Sequence, residues 1–260
     1  MNRFAKLEFE ERRAQAPVQE QLGNVIRTPD QSLRMAVEAY QSGRFEPALQ
    51  LYTRALQGNR SLIAAWVGQS QMLVELGEYP EARLWSDKAL ELFKSNGDLL
   101  AVKAQACLRQ KDLHAASASS DLSLSSPGSS PLRWRVRGEM LLRTSADRAR
   151  DCFERSLAEP LADWFERILI ARTYLFHGQP TPALAHAQLV TDAVPSNAYA
   201  WRILAECQDC MGWSDRAYVS YQRSLQLPGD HTQTRGALRT LENRSMVARW
   251  GRRLGGIFRQ

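Results

Sequence analysis

The residues best placed by type and spacing to do chemistry are Cys207 and Cys210. Two thiols three residues apart can share a metal ion or cycle between dithiol and disulfide. A structural zinc site needs two further ligands, and the sequence offers no second C-x-x-C and no H-x3-5-H. A thioredoxin-like motif needs a strand before it, whereas the pattern around this pair is helical. His177 falls at the end of a neighbouring helix, but one histidine does not complete a site. His114, His186 and His231 are isolated. No phosphate-cradling glycine loop, G-x-S-x-G or H-E-x-x-H is present. The expectation is a protein without catalytic residues, metal or cofactor, whose cysteines (Cys107 and Cys152 with the pair) are reduced and serve as packing residues.

Composition points the same way. The chain has 260 residues, 44% hydrophobic and 24% charged, which excludes an intrinsically disordered class. No apolar run approaches the roughly 18 residues of a membrane span. The first residues carry Glu8, Glu10 and Glu11 and no apolar core, so neither a secretory nor a mitochondrial leader is expected and the expected compartment is the cytoplasm. The net charge is +6, and its location is informative. From residue 232 onward there are seven arginines against Glu242 alone, so residues 1–231 are balanced and the whole excess lies in the C-terminal tail.

The elements that must position these residues are set by an internal period. Ala48, Ala82, Ala116, Ala149, Ala183 and Ala217 recur every 33 or 34 residues. So do Ala36, Ser70, Ala104, Gly138, Ala171 and Ala205, and a third series runs Ala55, Ala89, Ser123, Ser156, Val190 and Ser224. Gly43, Gly77, Gly178 and Gly212 share a fourth position. Small residues let two helices cross closely, and the glycine suits a helix end that needs positive φ. Trp66, Trp134 and Trp201, with Tyr52, Phe153 and Tyr221, fill the space around the crossing. One such unit cannot bury its apolar face alone, so units must stack.

A tryptophan, a small residue four on, a turn glycine and two further small residues resemble the tetratricopeptide repeat, a 34-residue helix–turn–helix unit. Residues 198–231 show it in Trp201, Leu204, Ala205, Gly212, Ala217, Tyr221, Ser224 and Pro228. Six repeats are placed at 29–62, 63–96, 97–130, 131–163, 164–197 and 198–231, about four-fifths of the chain. The resemblance implies an all-α, right-handed superhelical solenoid of antiparallel helix pairs. Residues 1–28 are expected to form an N-terminal helical cap, and 232–260 a capping helix followed by a basic amphipathic tail. Ser32 and Arg167 stand where Trp is usual, Lys111 replaces the turn glycine, and the fourth repeat is one residue short around Ser145. Thr28, Pro29 and Gln31 spell a helix start. Serine is a mediocre helix former, so the serine-rich stretch over 113–126 is expected to be the weakest helix and a hinge.

In proteins similar to this one, the first helix of each repeat lines a concave groove that holds a partner peptide. Positions 5, 9 and 13 share one helix face. They supply the candidate partner-binding residues Gln71, Gln105, Arg109, Arg135, Glu139, Arg143, Arg172, Phe176, Arg202 and Glu206. Arginine presents a planar fork to carboxylates and carbonyls, so an acidic segment is expected in the C-terminal half. Solvated pairs within one helix, among Arg135, Glu139 and Arg143 and between Arg202 and Glu206, are the competing reading. The Lys and Asn that some relatives use to grip chaperone tails are missing: the first two repeats have Leu33/Val37 and Val67/Gln71. The resemblance thus implies a non-enzymatic scaffold or adaptor.

In the tail, Met246, Trp250, Leu254 and Phe258 are four apart among Arg249, Arg252, Arg253 and Arg259. Three readings stand: a cap on the solenoid, a membrane-surface helix through Trp250, Arg252, Arg253, Leu254 and Phe258, or a peptide for another protein. Nucleic acid is not expected, because the basic charge is short and terminal. A peripheral membrane-associated assembly factor is the alternative to the adaptor.

Overall fold

The structure is a computed structural model that describes the backbone of residues 28–257 and the side chains of residues 28–244. The expected N-terminal cap over 1–28 therefore lies outside the described residues up to Thr28, as does Phe258, and so do the side chains of Trp250, Arg252, Arg253 and Leu254.

The described residues are helical with no strand. Six first helices are α1 (Pro29–Gln41), α3 (Ile63–Glu75), α5 (Gly97–Arg109), α7 (Pro131–Leu141), α9 (Trp164–Phe176) and α11 (Ala198–Cys210). Each is followed by a second helix: α2 (Phe45–Gly58), α4 (Tyr79–Leu92), α6 (Leu113–Ser125), α8 (Ala146–Ala158), α10 (Pro180–Ala193) and α12 (Ser214–Gln226). A long α13 (Thr232–Ile257) ends the array. Two compact units are present. Residues up to Ser126 form one, apart from Gln41–Gly43, and Pro127 onward forms the other. Within each unit, a second helix packs against the next repeat's first helix.

Local chemistry explains the boundaries. Thr28 and Gln31 make a reciprocal capping box: the Gln31 amide donates to Thr28 Oγ1 at 3.2 Å and the Thr28 amide to Gln31 Oε1 at 3.0 Å. Side chains of Asn96, Asp112, Ser130, Asp163 and Asn197 accept from the first-turn amides of α5, α6, α7, α9 and α11.

The first helices end alike in five repeats. The amides of Arg44, Glu78, Asp112, Gln179 and Trp213 each reach back to the carbonyl five residues earlier, at 2.8–2.9 Å. The residue before each is left-handed: Gly43, Gly77, Gly178 and Gly212, with φ from 68° to 83°, and Lys111 with φ 67°. Lys111 thus adopts the glycine's conformation at a steric cost. The shortened fourth repeat lacks this residue. There the Ser145 amide bonds to Leu141 four residues back, at 2.8 Å.

All three small-residue series lie at the crossings. The alanines from Ala48 to Ala217 are each 0% exposed, and Ser70, Ser156 and Ser224 match them. Gly138 is needed for contact: a Cβ there would sit 2.6 Å from the Phe153 ring and 3.1 Å from the Ala149 carbonyl. The third series adds a function to its small size. Ser123, Ser156 and Ser224 hydroxyls lie 2.7, 2.8 and 2.7 Å from the first carbonyls of their own repeats, at Gly97, Pro131 and Ala198. The indoles tie down the loops: Trp66 Nε1 donates to the Arg60 carbonyl at 2.9 Å and Trp201 Nε1 to the Pro195 carbonyl at 2.8 Å.

α6 is built differently from its counterparts. It buries Ala116, Ser119, Ser120 and Ser123, while Leu113 and Leu122 are exposed. The first unit ends one residue past this helix.

Candidate functional site

Ten candidate residues occupy the first helices, and the structure divides them by depth. Gln71 and Arg109 in the first unit are half-buried, and Gln105 is buried. In the second unit Arg143 is exposed, Arg172 and Glu206 are half-buried, and Phe176 is 51% exposed. Arg135, Glu139 and Arg202 are buried.

The buried three make cross-helix contacts. Arg135 Nε donates to Glu166 Oε1 at 2.9 Å, joining α7 to α9. The same carboxylate oxygen is 2.6 Å from Ser156 Oγ. Glu139 Oε1 lies 3.1 Å from His177 Nε2, again between α7 and the end of α9. His177 thus faces Glu139. Arg202 lies over the Tyr199 ring at 4.7 Å, sits 3.8 Å from Glu206, and donates to Gln233 of α13. Of the two solvated-pair expectations, Arg202–Glu206 is present within one helix. Arg135 and Glu139 reach ionic partners on the next repeat, Glu166 and His177. A charge that leaves water needs a fixed partner, and the adjoining first helix supplies it.

The sequence reading missed Glu166, His177 and Gln233 as these partners. One signal was available. Glu166 is the third residue of its repeat, where it meets the serine of the preceding second helix. Thr234 stands in the same place on α13, with its Oγ1 3.5 Å from Ser224 Oγ. α13 therefore begins as the first helix of a further repeat would, with Leu238 and Leu241 closing on Ala205, Ala217 and Tyr221. Arg244 adds an ion pair to Asp209 of α11.

The thiols do not resemble a reactive pair. Burial pushes the Cys207 thiol far above its ordinary range, with the Glu206 charge adding to the shift. Cys210 is exposed, and partial desolvation with nearby Asp209 and Glu206 raises it too. Reactive cysteines need the opposite environment. Among the described residues, no helix is long and apolar enough to cross a membrane.

The remaining surface is one that can hold a chain segment by packing and charge. Phe176 and Arg172 are one turn apart on α9, and Arg143 follows the end of α7. Such a set offers an apolar anchor beside guanidinium groups.

A model of the tetratricopeptide repeat family matches residues 33–97. A protein of Oryza sativa subsp. japonica, described as Protein SGT1 homolog, is 31% identical over 90 residues, covering 35% of this chain and 24% of the rice protein. The chain thus spans about a quarter of that relative's length. A tetratricopeptide repeat protein of Parabacteroides merdae superposes with a TM-score of 0.50, at 16% identity, over 86% of this chain and 87% of its own. The human IFIT1 dimer with PPP-AAAA gives a TM-score of 0.54, at 14% identity, over 78% of this chain and 51% of its own. At those identities the likeness is one of fold. The family pattern is matched over 33–97, and the same helix pair recurs from α1 to α12, so the chain has the repeat fold of tetratricopeptide-repeat proteins.

Proposed function

We propose that this protein is a non-catalytic adaptor whose second unit holds a partner segment of acidic and apolar character on its first-helix face. The observation that carries the reading is Phe176. Its ring is 51% exposed and stands one turn from Arg172 on a first helix, so an aromatic anchor and a guanidinium are offered together. Arg172 on the same face, with Arg143 just past the end of α7, gives the partner segment a charge preference. Arg135, Glu139 and Arg202 have a supporting role: the first two tie α7 to α9 and Arg202 ties α11 to α13, so the exposed groups are presented on braced elements.

The test is affinity capture with full-length tagged protein, identification by mass spectrometry and titration of the recovered partner. Arg172→Glu/Phe176→Ala should weaken binding at least tenfold with an unchanged circular dichroism spectrum, since one buried aromatic anchor alone is worth about 2 kcal/mol. Val219→Asp, at a 66% exposed position on α12, should bind as wild type does. Binding that survives in the folded double variant would move recognition to another surface. Capture that is lost on nuclease treatment would replace a protein partner with nucleic acid.

A further inference from the structure

α13 is one helix of 26 residues, about 39 Å long, rather than a short cap followed by a separate tail helix. That continuity fixes the angular relation between its two halves. At about 100° per residue, the positions that dock on repeat 6 (Thr234, Ala237, Leu238 and Leu241) share one side. The opposite side of this half carries Gly236, Arg239, Thr240 and Asn243, all exposed.

Beyond Arg244 the apolar positions change sides. Met246, Val247, Trp250, Leu254 and Ile257 fall within an arc roughly 100° wide, about 180° around the helix from the docked stripe. Positions 248, 252, 255 and 256, which continue the docked side, are Ala, Arg, Gly and Gly. Arg253 and Arg249 take the arc next to the apolar positions, Arg252 lies on the side that continues the docked stripe, and no Asp or Glu follows Glu242. The half that caps the array thus cannot extend its own contact surface into the tail. The second apolar stripe needs a different apolar phase, one that also favours cations.

We propose that residues 245–257 are a peripheral binding surface for an anionic lipid bilayer. Apolar positions including a tryptophan enter the interface, Arg249 and Arg253 beside them meet lipid phosphates and carboxylates, and Arg252 adds long-range attraction. Charge complementarity selects this occupant: all of the chain's net charge lies from residue 232 onward, and basic residues near an anionic leaflet each strengthen binding about fivefold. Because the same helix is clamped to repeat 6 by Leu238, Leu241 and the Arg244–Asp209 pair, the bilayer would hold the last repeats without a flexible linker.

Co-sedimentation of the full-length protein with vesicles tests this. Vesicles of phosphatidylcholine with phosphatidylserine should bind it at least tenfold more tightly than phosphatidylcholine alone, and high salt should weaken the binding. Arg249→Glu/Arg252→Glu/Arg253→Glu and Trp250→Ala/Leu254→Ala should each lose at least tenfold, with melting curves like wild type. No binding of the folded wild type to anionic vesicles overturns the proposal, as does binding that persists in both variants. Polyglutamate or RNA competes for the arginines whichever partner is real. Full retention of polyglutamate or RNA binding by a wild type that ignores vesicles would assign the stripe to an acidic macromolecule instead.

Discussion

Lys111 stands with φ 67° where four sibling repeats have glycine. Its Cβ makes that conformation unfavourable by roughly 1 kcal/mol, so Lys111→Gly should stabilise the protein by about that much in urea unfolding. Gly138 presents the reverse case. A Cβ there meets Phe153 at 2.6 Å, and Gly138→Ala should destabilise by about 1–3 kcal/mol, although alanine occupies the equivalent position of four other repeats. Pairing it with Phe153→Leu should recover part of the loss. The rule that small residues mark the crossings was legible in the sequence. Which crossing tolerates a methyl was not, since this depends on how far one aromatic ring leans in.

At the scale of an element, helix ends and crossings followed from patterns repeated in the sequence. The depth of the first-helix charges did not. Arg135 and Arg202 hold position 5 of their repeats and are buried against partners, whereas Arg172 stands one turn later, at position 9, and is half-buried. The partners of Arg135 and Arg202 lie about 30 positions on, at Glu166 and Gln233, beyond the reach of a pattern within one helix. Removing one partner exposes this dependence. Arg135→Ala leaves Glu166 in a buried site with only Ser156, and a loss of about 3–5 kcal/mol is expected from thermal or urea unfolding. Arg135→Met/Glu166→Leu should recover most of it. α6 gives the opposite prediction, a local one. Its buried face is three serines and an alanine, so amide exchange over 113–126 should be faster than in α4 or α10. Equal protection would show that the serine hydrogen bonds compensate for missing apolar bulk.

For the whole molecule, acid should act through a buried histidine. His186 of α10 stacks on Tyr174 at 5.9 Å, and burial, with a smaller contribution from Arg167, pushes its pKa down to about 4. The unfolded chain then binds a proton at higher pH than the folded one. Stability is fully present above about 6.5 and falls as pH drops toward 4, by on the order of 2 kcal/mol. The chain forms two compact units, so the change should be read with local probes on α9 and α10. His186→Phe should flatten this part of the pH profile.

The contacts between α7 and α9 bear on how such an array can change over evolutionary time. Repeats joined only by interchangeable apolar faces can be shuffled, duplicated or deleted like links of a chain. Glu166 and His177 cannot travel with their repeat to a new neighbour unless that neighbour brings a counterpart of Arg135 and Glu139. The succession of the fourth and fifth repeats is therefore written into the interior as an address. A permuted array that separates them should fold only after those four residues are neutralised together.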